Sequence, residues 1–310
     1  MRRSDVQLTS ILGATADGIL AVAPDGKVIL FNERFVRLWR IPQSLLDSKN
    51  DQVLLDYVLS QLDEPEEFLV KVKALYGSDA ETTDAVSFKD GRIFERFTSP
   101  MILDSSVIGR IWSFRDITER KQMEAQVRQL AFYDELTKLP NRRLLLDRLD
   151  QAMAACKRSS CHGAMMYVDL DKFKQLNDTH GHSAGDLLLK DVAARLKSCV
   201  RAIDTVARFG GDEFLVLISE LSENKSEATE QAWEISRKIS AALANPYMLK
   251  VHHEEKTETT VEHSCTGSIG VTLFDKDEVN REEILKRADM VMYQAKEAGR
   301  NLILFYGSKV

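Results

Sequence analysis

The fold of the C-terminal half of the chain is decided by the stretch Gly210-Gly211-Asp212-Glu213-Phe214. Apolar runs flank it, with Thr205-Val206-Ala207 before it and Phe214-Leu215-Val216-Leu217-Ile218 after it. Two glycines between apolar runs predict a β-hairpin, because glycine readily adopts the positive φ of a tight turn. The turn presents bare backbone beside two carboxylates. It therefore indicates either a site for a phosphorylated ligand and a hard cation, or a surface turn with solvated acids.

A second acidic segment lies before this hairpin in the chain. Residues 163–170 form a near-continuous apolar run that leads into two acids, Asp169 and Asp171. Such a run predicts a buried central strand with carboxylates at its C-terminal end. The two acids project to one face, and a helix that begins directly after them offers free amides to phosphate. With the hairpin alongside, Asp169 joins Asp212 and Glu213 in a set of oxygens suited to Mg²⁺.

Polar residues beyond this strand point to a nucleotide. Asp186 can accept hydrogen bonds from N1–H and the amino group of guanine, which adenine lacks, and Asn177 can donate to guanine. This pair predicts a preference for guanine. Near the C-terminus, the spacing of Lys296 and Arg300 places them on one helix face. They are either ready for a triphosphate or part of a solvated helix end.

Composition and charge exclude several classes of protein. The chain has 310 residues, about two domains, and 44% of them are hydrophobic. A net charge of −6 disfavours a general binder of nucleic acid or anionic membranes. No apolar run reaches the roughly 18 residues of a membrane span, and no signal peptide is recognised. Four cysteines without metal-type pairing indicate a reducing compartment, so we expect a cytoplasmic protein.

The N-terminal part, residues 1–116, alternates short β-like runs with turns. Hairpins are predicted around Pro24-Asp25-Gly26 and Lys89-Asp90-Gly91. A last strand is expected over 107–114, and the two predicted helices cover 33–39 and 65–76.

Residues 117–132 change to a helical pattern. Arg120, Met123, Val127 and Leu130 follow a 3-4-3 spacing among charged and amide side chains. This is a short heptad seam, which predicts a helical signalling linker that pairs in parallel with a second copy. The alternative is a helix packed on its own domain, and we favour the paired linker because it follows a sensor-like domain directly.

The N-terminal elements resemble a PAS sensor domain over about residues 8–120. The resemblance rests on Asp17-Gly18-Ile19, Asp25-Gly26, Phe31-Asn32-Glu33-Arg34-Phe35 and the closing stretch 109–120. It implies an antiparallel sheet with flanking helices and a possible unidentified ligand: an apolar small molecule, a non-covalent flavin, or none. The part up to residue 116 lacks His and Cys, which disfavours a His-ligated haem and a flavin–cysteinyl adduct. Trp39 and Trp112 are candidates for a pocket lining or for core aromatics.

Residues 130–307 resemble the GGDEF domain of the diguanylate cyclase family. The matching segments are 134–143, 169–186, 210–214, 268–271 and 288–301. The resemblance implies an α+β or α/β palm-like domain over 133–310, with a central mixed sheet surrounded by helices. It implies a homodimer in which each GTP 3′-hydroxyl attacks the partner's α-phosphate, giving cyclic di-GMP and two pyrophosphates. Residues 250–263, within this region, predict a long hairpin.

The family resemblance also implies roles for individual residues. Asp169, the Leu170 carbonyl and Asp212 hold Mg²⁺ or Mn²⁺. Glu213 binds a second metal or takes the hydroxyl proton, and the sequence does not separate Asp212 from Glu213 as the base. Contacts to the nucleotide are implied for Phe173, Lys174, Asn177, His182, Asp186, Gly210, Lys296 and Arg300.

A regulatory site is implied by Arg201-Ala202-Ile203-Asp204, which matches the RxxD product-inhibitory motif of the family. Arg201 can fork onto a guanine edge or a phosphate, and Asp204 can accept from guanine; a local salt bridge is the alternative. The leading hypothesis is a diguanylate cyclase under PAS control and product feedback. A product receptor with a silent active site and a dimerising sensor are the competing hypotheses.

Overall fold

The computed structural model describes residues 3–47, 51–76, 78–104, 106–252, 258–278 and 280–307. The chain divides into two compact units, Met1–Gln126 and Val127–Val310. Within the described ranges, no helix is both long and apolar enough to cross a membrane.

The first unit is built on a five-stranded antiparallel sheet in the order β2-β1-β5-β4-β3. Both predicted hairpins are confirmed, since β1 pairs with β2 and β3 pairs with β4. The strands are β1 Gly18–Val22, β2 Val28–Phe31, β3 Thr82–Ser87, β4 Ile93–Leu103 and β5 Ser106–Asp116. The helices are α1 Arg3–Ala14, α2 Glu33–Leu38, α3 Gln43–Asp47, α4 Asp51–Ser60 and α5 Pro65–Leu75.

Aromatic side chains form the core of this unit. The ring centroid of Trp39 lies 4.9 Å from that of Phe88 and 5.2 Å from that of Phe114. Beside these rings lies a cavity of about 290 Å³ whose lining includes Trp39, Trp112 and Val58. Both tryptophans are buried and line the cavity, so the two roles weighed for them from the sequence apply together.

Helix α6, Thr118–Phe132, has no buried side chain. It joins the last strand of the first unit to the second unit along the chain. The predicted helix over 117–132 is therefore present in the structure, and its pairing with a second copy stays a prediction.

The second unit is built on a mixed sheet in the order β12-β11-β6-β8-β7, in which only β11 and β12 are parallel. Its strands are β6 His162–Leu170, β7 Thr205–Gly210, β8 Glu213–Leu221, β11 Gly267–Phe274 and β12 Ile303–Phe305. Its helices are α7 Arg142–Ser159, α8 Phe173–His180, α9 His182–Cys199, α10 Lys225–Ala244 and α11 Arg281–Glu297.

A separate two-stranded sheet lies within this unit. Strands β9, Tyr247–His252, and β10, Glu258–His263, pair antiparallel. They correspond to the predicted long hairpin, whose tip at 253–257 lies outside the described residues.

The central strand β6 explains how the sheet places its acids. All nine of its residues are buried, because helices cover both faces of the sheet. Met166 and Val168 pack in a core with side chains of α9 and α10, whereas Met165 packs with side chains of α7 and α11. A strand covered on both sides needs no polar alternation, which is why the sequence pattern identified it. Strand β6 pairs with β8, and this pairing brings Asp169 opposite Glu213.

Candidate active site

The glycine turn joins β7 to β8 as the sequence predicted. Gly210 pairs with Glu213 across the hairpin, and Gly211 has φ +50°. A Cβ atom on either glycine would meet no other atom within 4 Å. The turn therefore combines a backbone conformation that favours glycine with open space in front of it, and a ligand can approach its backbone closely.

Three carboxylates lie at neighbouring strand ends beside this turn. Asp169 is opposite Glu213, and the Leu170 N–H donates to the Asp212 carbonyl over 3.3 Å. Burial raises the pKa of the Asp169 carboxyl to about 6. This pKa already includes the charges of Asp212 and Glu213, which contribute to the rise, and the contact with Lys296, which opposes it. Burial is the main cause of this shift, and the neighbouring carboxylates add to it; a divalent cation relieves both effects.

Lys296 supplies positive charge at this strand end. Its Nζ lies 2.6 Å from Oδ2 of Asp169.

Among the described residues, no three or more His, Cys, Asp or Glu side chains form a metal-binding group. The donor chemistry nevertheless fits Mg²⁺, because Asp169, Asp212 and Glu213 offer hard oxygens whose mutual repulsion a cation offsets.

Tyr167 is a site residue that the sequence interpretation missed. Its hydroxyl donates to Oε2 of Glu213 over 3.0 Å. Burial, together with the charge of Glu213, raises the pKa of the Tyr167 hydroxyl well above its usual range, so it remains a donor. The available signal was its position two residues before Asp169, which places both side chains on one face of β6.

Arg208 supports the turn from behind. Its Nε and Nη2 donate to the Gly211 carbonyl over 3.1 and 2.7 Å, while Nη1 lies 3.1 Å from both carboxylate oxygens of Asp134. Asp134 also accepts from the Thr137 N–H and hydroxyl. The Asp134-to-Thr137 part of the sequence motif thus has a structural role, which is to anchor the arginine that holds the turn.

A helical hairpin presents the predicted guanine-reading residues. Asn177 lies on α8 and Asp186 lies on α9, and Gly181 between the helices has φ +80°. Asn177 Oδ1 is buried and has no hydrogen-bond partner. A Cβ at Gly185 would lie 2.0 Å from that oxygen, so the glycine allows close packing here. An unsatisfied buried polar atom costs about 1–3 kcal/mol, and this oxygen has almost no accessible surface. His182 and Asp186 are exposed.

The start of α8 is a candidate phosphate site. The helix begins at Phe173 after Lys172, which has φ +61° and provides no side-chain cap. Uncapped amides at a helix N-terminus attract anions. Lys174, in the first turn, is exposed and adds a positive charge.

The prediction that Lys296 and Arg300 share a helix face is wrong. Helix α11 ends at Glu297, and the chain then turns through Gly299 at φ +124° and Arg300 at φ +64°. A glycine just past a helix end commonly terminates it in this way. Lys296 therefore lies in the last turn of α11, and Arg300 lies on the turn that follows.

The RxxD segment is a tight turn held by its own acid. Asp204 is buried, and it accepts hydrogen bonds from the N–H groups of Arg201 and Ser219 over 2.9 and 3.1 Å. Arg201 is exposed at a groove of about 280 Å³ that Lys238 also lines. The aspartate thus has a structural role that the sequence interpretation did not foresee, and the arginine is the accessible member.

The described geometry is that of an α+β domain in which the acids, the glycine turn and Lys296 lie near the same ends of the central strands of a mixed sheet. Residues 131–302 match the family model for the diguanylate cyclase GGDEF domain. Because the match covers more than half of the chain, the chain belongs to the GGDEF family.

Two curated relatives from Pseudomonas aeruginosa are similar to this chain. The bifunctional diguanylate cyclase/cyclic di-GMP phosphodiesterase MucR is 43% identical over 182 residues, which are 59% of this chain and 24% of that protein. The diguanylate cyclase DgcP is 35% identical over 206 residues, which are 64% of this chain and 28% of that protein. The chain thus spans about a quarter of the length of these relatives.

A solved structure shares the fold of the second unit. It contains the coiled coil and GGDEF domain of DgcB from Caulobacter crescentus in complex with c-di-GMP. The match has a TM-score of 0.52 and 27% sequence identity, and it covers 61% of this chain and 93% of that chain.

Proposed function

We propose that this chain is a diguanylate cyclase that condenses two GTP molecules into cyclic di-GMP and two pyrophosphates across a homodimer. The observation that carries the proposal is the placement of Asp169 opposite Glu213, with Asp212 next to it in the chain, beside the open glycine turn. Membership in the GGDEF family supports it. None of the acids that the family resemblance assigns to the site has been replaced.

In the proposed site, Asp169, Asp212 and the Leu170 carbonyl hold Mg²⁺ or Mn²⁺, and Glu213 binds a second metal or accepts the hydroxyl proton. When bound, the metal polarises the phosphate and activates the attacking hydroxyl. Tyr167 orients the Glu213 carboxylate through its 3.0 Å hydrogen bond. This contact leaves the second oxygen of Glu213 for the metal or the proton.

Binding of GTP is divided between two sets of groups. Asn177, His182 and Asp186 are proposed to contact the guanosine, and the exposure of His182 and Asp186 supports this assignment. The phosphates are assigned to Lys174, Lys296, Arg300 and the backbone at Phe173 and Gly210. Lys296 already lies against an acid of the site at 2.6 Å, which supports its assignment to a phosphate bound beside that acid.

The homodimer is supported by the linker helix. Met123, Val127 and Leu130 of α6 are 52%, 64% and 54% exposed. Apolar side chains at heptad spacing on an exposed helix are suited to pair with a second copy. Dimerisation would also supply the second GTP, because positioning two reactants contributes much of such a reaction's rate.

Control by the first unit is the second part of the proposal. We assign residues 1–116 to a PAS sensor domain and 117–132 to its signalling linker, with the cyclase over 133–310. An antiparallel sheet beside an apolar cavity of about 290 Å³ supports this assignment and leaves room for a small, mainly apolar ligand. Product feedback through Arg201 and Asp204 completes the proposed regulation.

The first test is whether the protein turns GTP over or only binds a nucleotide. The purified 310-residue chain is incubated with GTP and Mg²⁺, and cyclic di-GMP and pyrophosphate are measured by chromatography and mass spectrometry. Formation of both products supports the cyclase. Binding of cyclic di-GMP without any turnover would instead support the competing hypothesis of a product receptor that uses Arg201 and Asp204.

A further inference from the structure

Asp171 is a buried acid at the active-site edge of the sheet. It follows directly after β6 and is 5% exposed. Its Oδ1 accepts from the Ser268 hydroxyl over 2.8 Å, and its Oδ2 accepts from the Thr266 hydroxyl over 2.7 Å and from the Asn301 N–H over 3.0 Å. Both carboxylate oxygens are therefore engaged by protein donors.

These bonds separate Asp171 from Asp169, although both acids lie on one face of the sheet. Asp169 forms a single ion pair, with the flexible side chain of Lys296. Asp171 is held by three donors: the hydroxyl of Ser268 on β11, the hydroxyl of Thr266 just before β11, and the backbone N–H of Asn301 after α11. A carboxylate committed in this way has a structural task, because metal binding would break bonds that satisfy a buried charge.

The Asn301 N–H belongs to an unusual turn. Arg300 and Asn301 have φ +64° and +51°, a left-handed conformation that is unfavourable for residues with a Cβ atom. Two hydrogen bonds oppose this tendency: Arg300 N–H to the Ala295 carbonyl at 3.0 Å, and Asn301 N–H to Asp171. Asp171 is thus the side-chain anchor of the turn that carries Arg300.

We propose that Asp171 is a positioning residue and not a metal ligand: it fixes the left-handed turn that presents Arg300 to the nucleotide phosphates. The inference rests on the proposed function, since it takes the phosphate contact of Arg300 from there. Each of the two acids at the end of β6 thus positions one of the two basic residues near the C-terminus, Lys296 and Arg300. Asp169 pairs with the Lys296 side chain, and Asp171 holds the backbone next to Arg300.

Nucleotide binding by the 310-residue chain tests this role. The probe is 3′-deoxy-GTP, which lacks the attacking hydroxyl, and its affinity is measured by calorimetry with Mg²⁺ present. We expect Asp171→Ala to weaken binding by about tenfold, the effect of one misplaced charged contact. Asp171→Asn retains one oxygen for Asn301 and Thr266, so it is expected to weaken binding by about threefold at most.

Two further variants link the effect to the turn. Asp171→Ala is expected to add little to Arg300→Ala, because the anchor acts through the arginine. Asn301→Gly introduced into Asp171→Ala is expected to restore part of the lost affinity, since glycine adopts the left-handed conformation without an anchor. Additive losses, or no restoration by glycine, would contradict the proposal.

A metal readout separates the two roles of an acid. Mn²⁺ binding to the nucleotide-free protein, followed by electron paramagnetic resonance, should be the same in Asp171→Asn and wild type. Weaker Mn²⁺ binding by Asp171→Asn would make Asp171 a metal ligand and overturn the inference. This measurement does not depend on whether Asp171→Ala folds.

Wild-type protein that fails to bind 3′-deoxy-GTP would contradict the proposed function itself. Equal nucleotide affinity of wild type and Asp171→Ala would contradict only the positioning role.

Discussion

The Nζ atom of Lys296 lies 2.6 Å from Oδ2 of Asp169 at the end of the central strand. This ion pair joins the last turn of α11 to the acid that faces Glu213. The buried Asp169 carboxylate thereby has a counter-charge before any ligand binds. Asp169 would hold the cation in the proposed site, and Lys296 would then be available for a phosphate.

Removing an acid of the site should abolish turnover. Asp212→Ala deletes a proposed metal ligand beside the glycine turn, and we expect product formation to fall by about 1,000-fold or more. Rates of cyclic di-GMP formation measure the effect, and circular dichroism checks the fold. Glu230→Ala, an exposed acid on α10, is the matched control and should retain the wild-type rate. Comparable losses in both variants would point to general destabilisation.

The hydrogen bond from Tyr167 to Glu213 should contribute to the rate. Tyr167→Phe removes the hydroxyl but keeps the ring, and one hydrogen bond is worth about 0.5–1.5 kcal/mol. We therefore expect kcat to fall by about 3- to 10-fold with KM for GTP little changed. Tyr293→Phe, which removes the hydroxyl of a 58% exposed tyrosine on α11, is the control. An unchanged kcat would show that the orientation of Glu213 does not depend on Tyr167.

Product feedback should depend on the exposed arginine of the RxxD turn. Arg201→Ala leaves Asp204 and its backbone hydrogen bonds in place, so the turn should persist. We expect the half-inhibitory concentration of cyclic di-GMP to rise by about tenfold or more. Initial rates at increasing product concentration test this. The control is Arg158→Ala, which removes an exposed arginine at the end of α7; cyclic di-GMP should inhibit this variant as it inhibits the wild type. Inhibition that is the same in all three proteins would remove the feedback assignment.

Pairing of the linker helix should be sensitive to charge on its apolar seam. Val127→Glu places a carboxylate at a residue that is 64% exposed in the single chain. Like charges facing each other should weaken the dimer and lower the specific activity, as measured by sedimentation and enzyme assay at one concentration. Gln126→Glu adds the same charge off the seam and should have little effect. Unaltered dimerisation of Val127→Glu would show that α6 does not form the joint.

Acid stability should reflect the Asp134–Arg208 contact. Burial raises the pKa of Asp134, but hydrogen bonds from Thr137 and Arg208 outweigh it, so the pKa lies below its ordinary value of 3.8. The charged form therefore stabilises the fold above the unfolded-state pKa, and this contribution is lost as the pH falls through the folded-state value.

Asp134→Asn should lower the free energy of unfolding by about 1–2 kcal/mol at pH 7. The difference from wild type should shrink once the pH falls below about 4, where the carboxyl of the unfolded chain is protonated. Thermal unfolding over a pH series measures it. A difference that stays constant from pH 7 to pH 3 would show that the carboxylate charge does not contribute.

Much of the site could be predicted because its signals are local. The glycine turn, the apolar run of β6 and the acids at its end each follow from a short segment with a known period or turn preference. The mixed sheet with surrounding helices agrees with the fold implied for the second unit.

The misses come from contacts between distant segments. The Tyr167–Glu213 bond and the anchoring of the Arg300 turn by Asp171 join residues 46 and 130 positions apart, which no local pattern records. Arg300 was placed on a helix because the helical spacing continues through it, whereas Gly299 ends the helix. Helices α1, α3 and α4 were not identified among the short segments of the first unit.

Cyclic di-GMP formation by the purified 310-residue chain tests the central proposal most directly. With GTP and Mg²⁺, the account predicts two pyrophosphates for each cyclic di-GMP, and a specific activity that rises with protein concentration as dimers form. A chain that is folded and dimeric, binds GTP, and yields no cyclic dinucleotide with or without its N-terminal unit would contradict it.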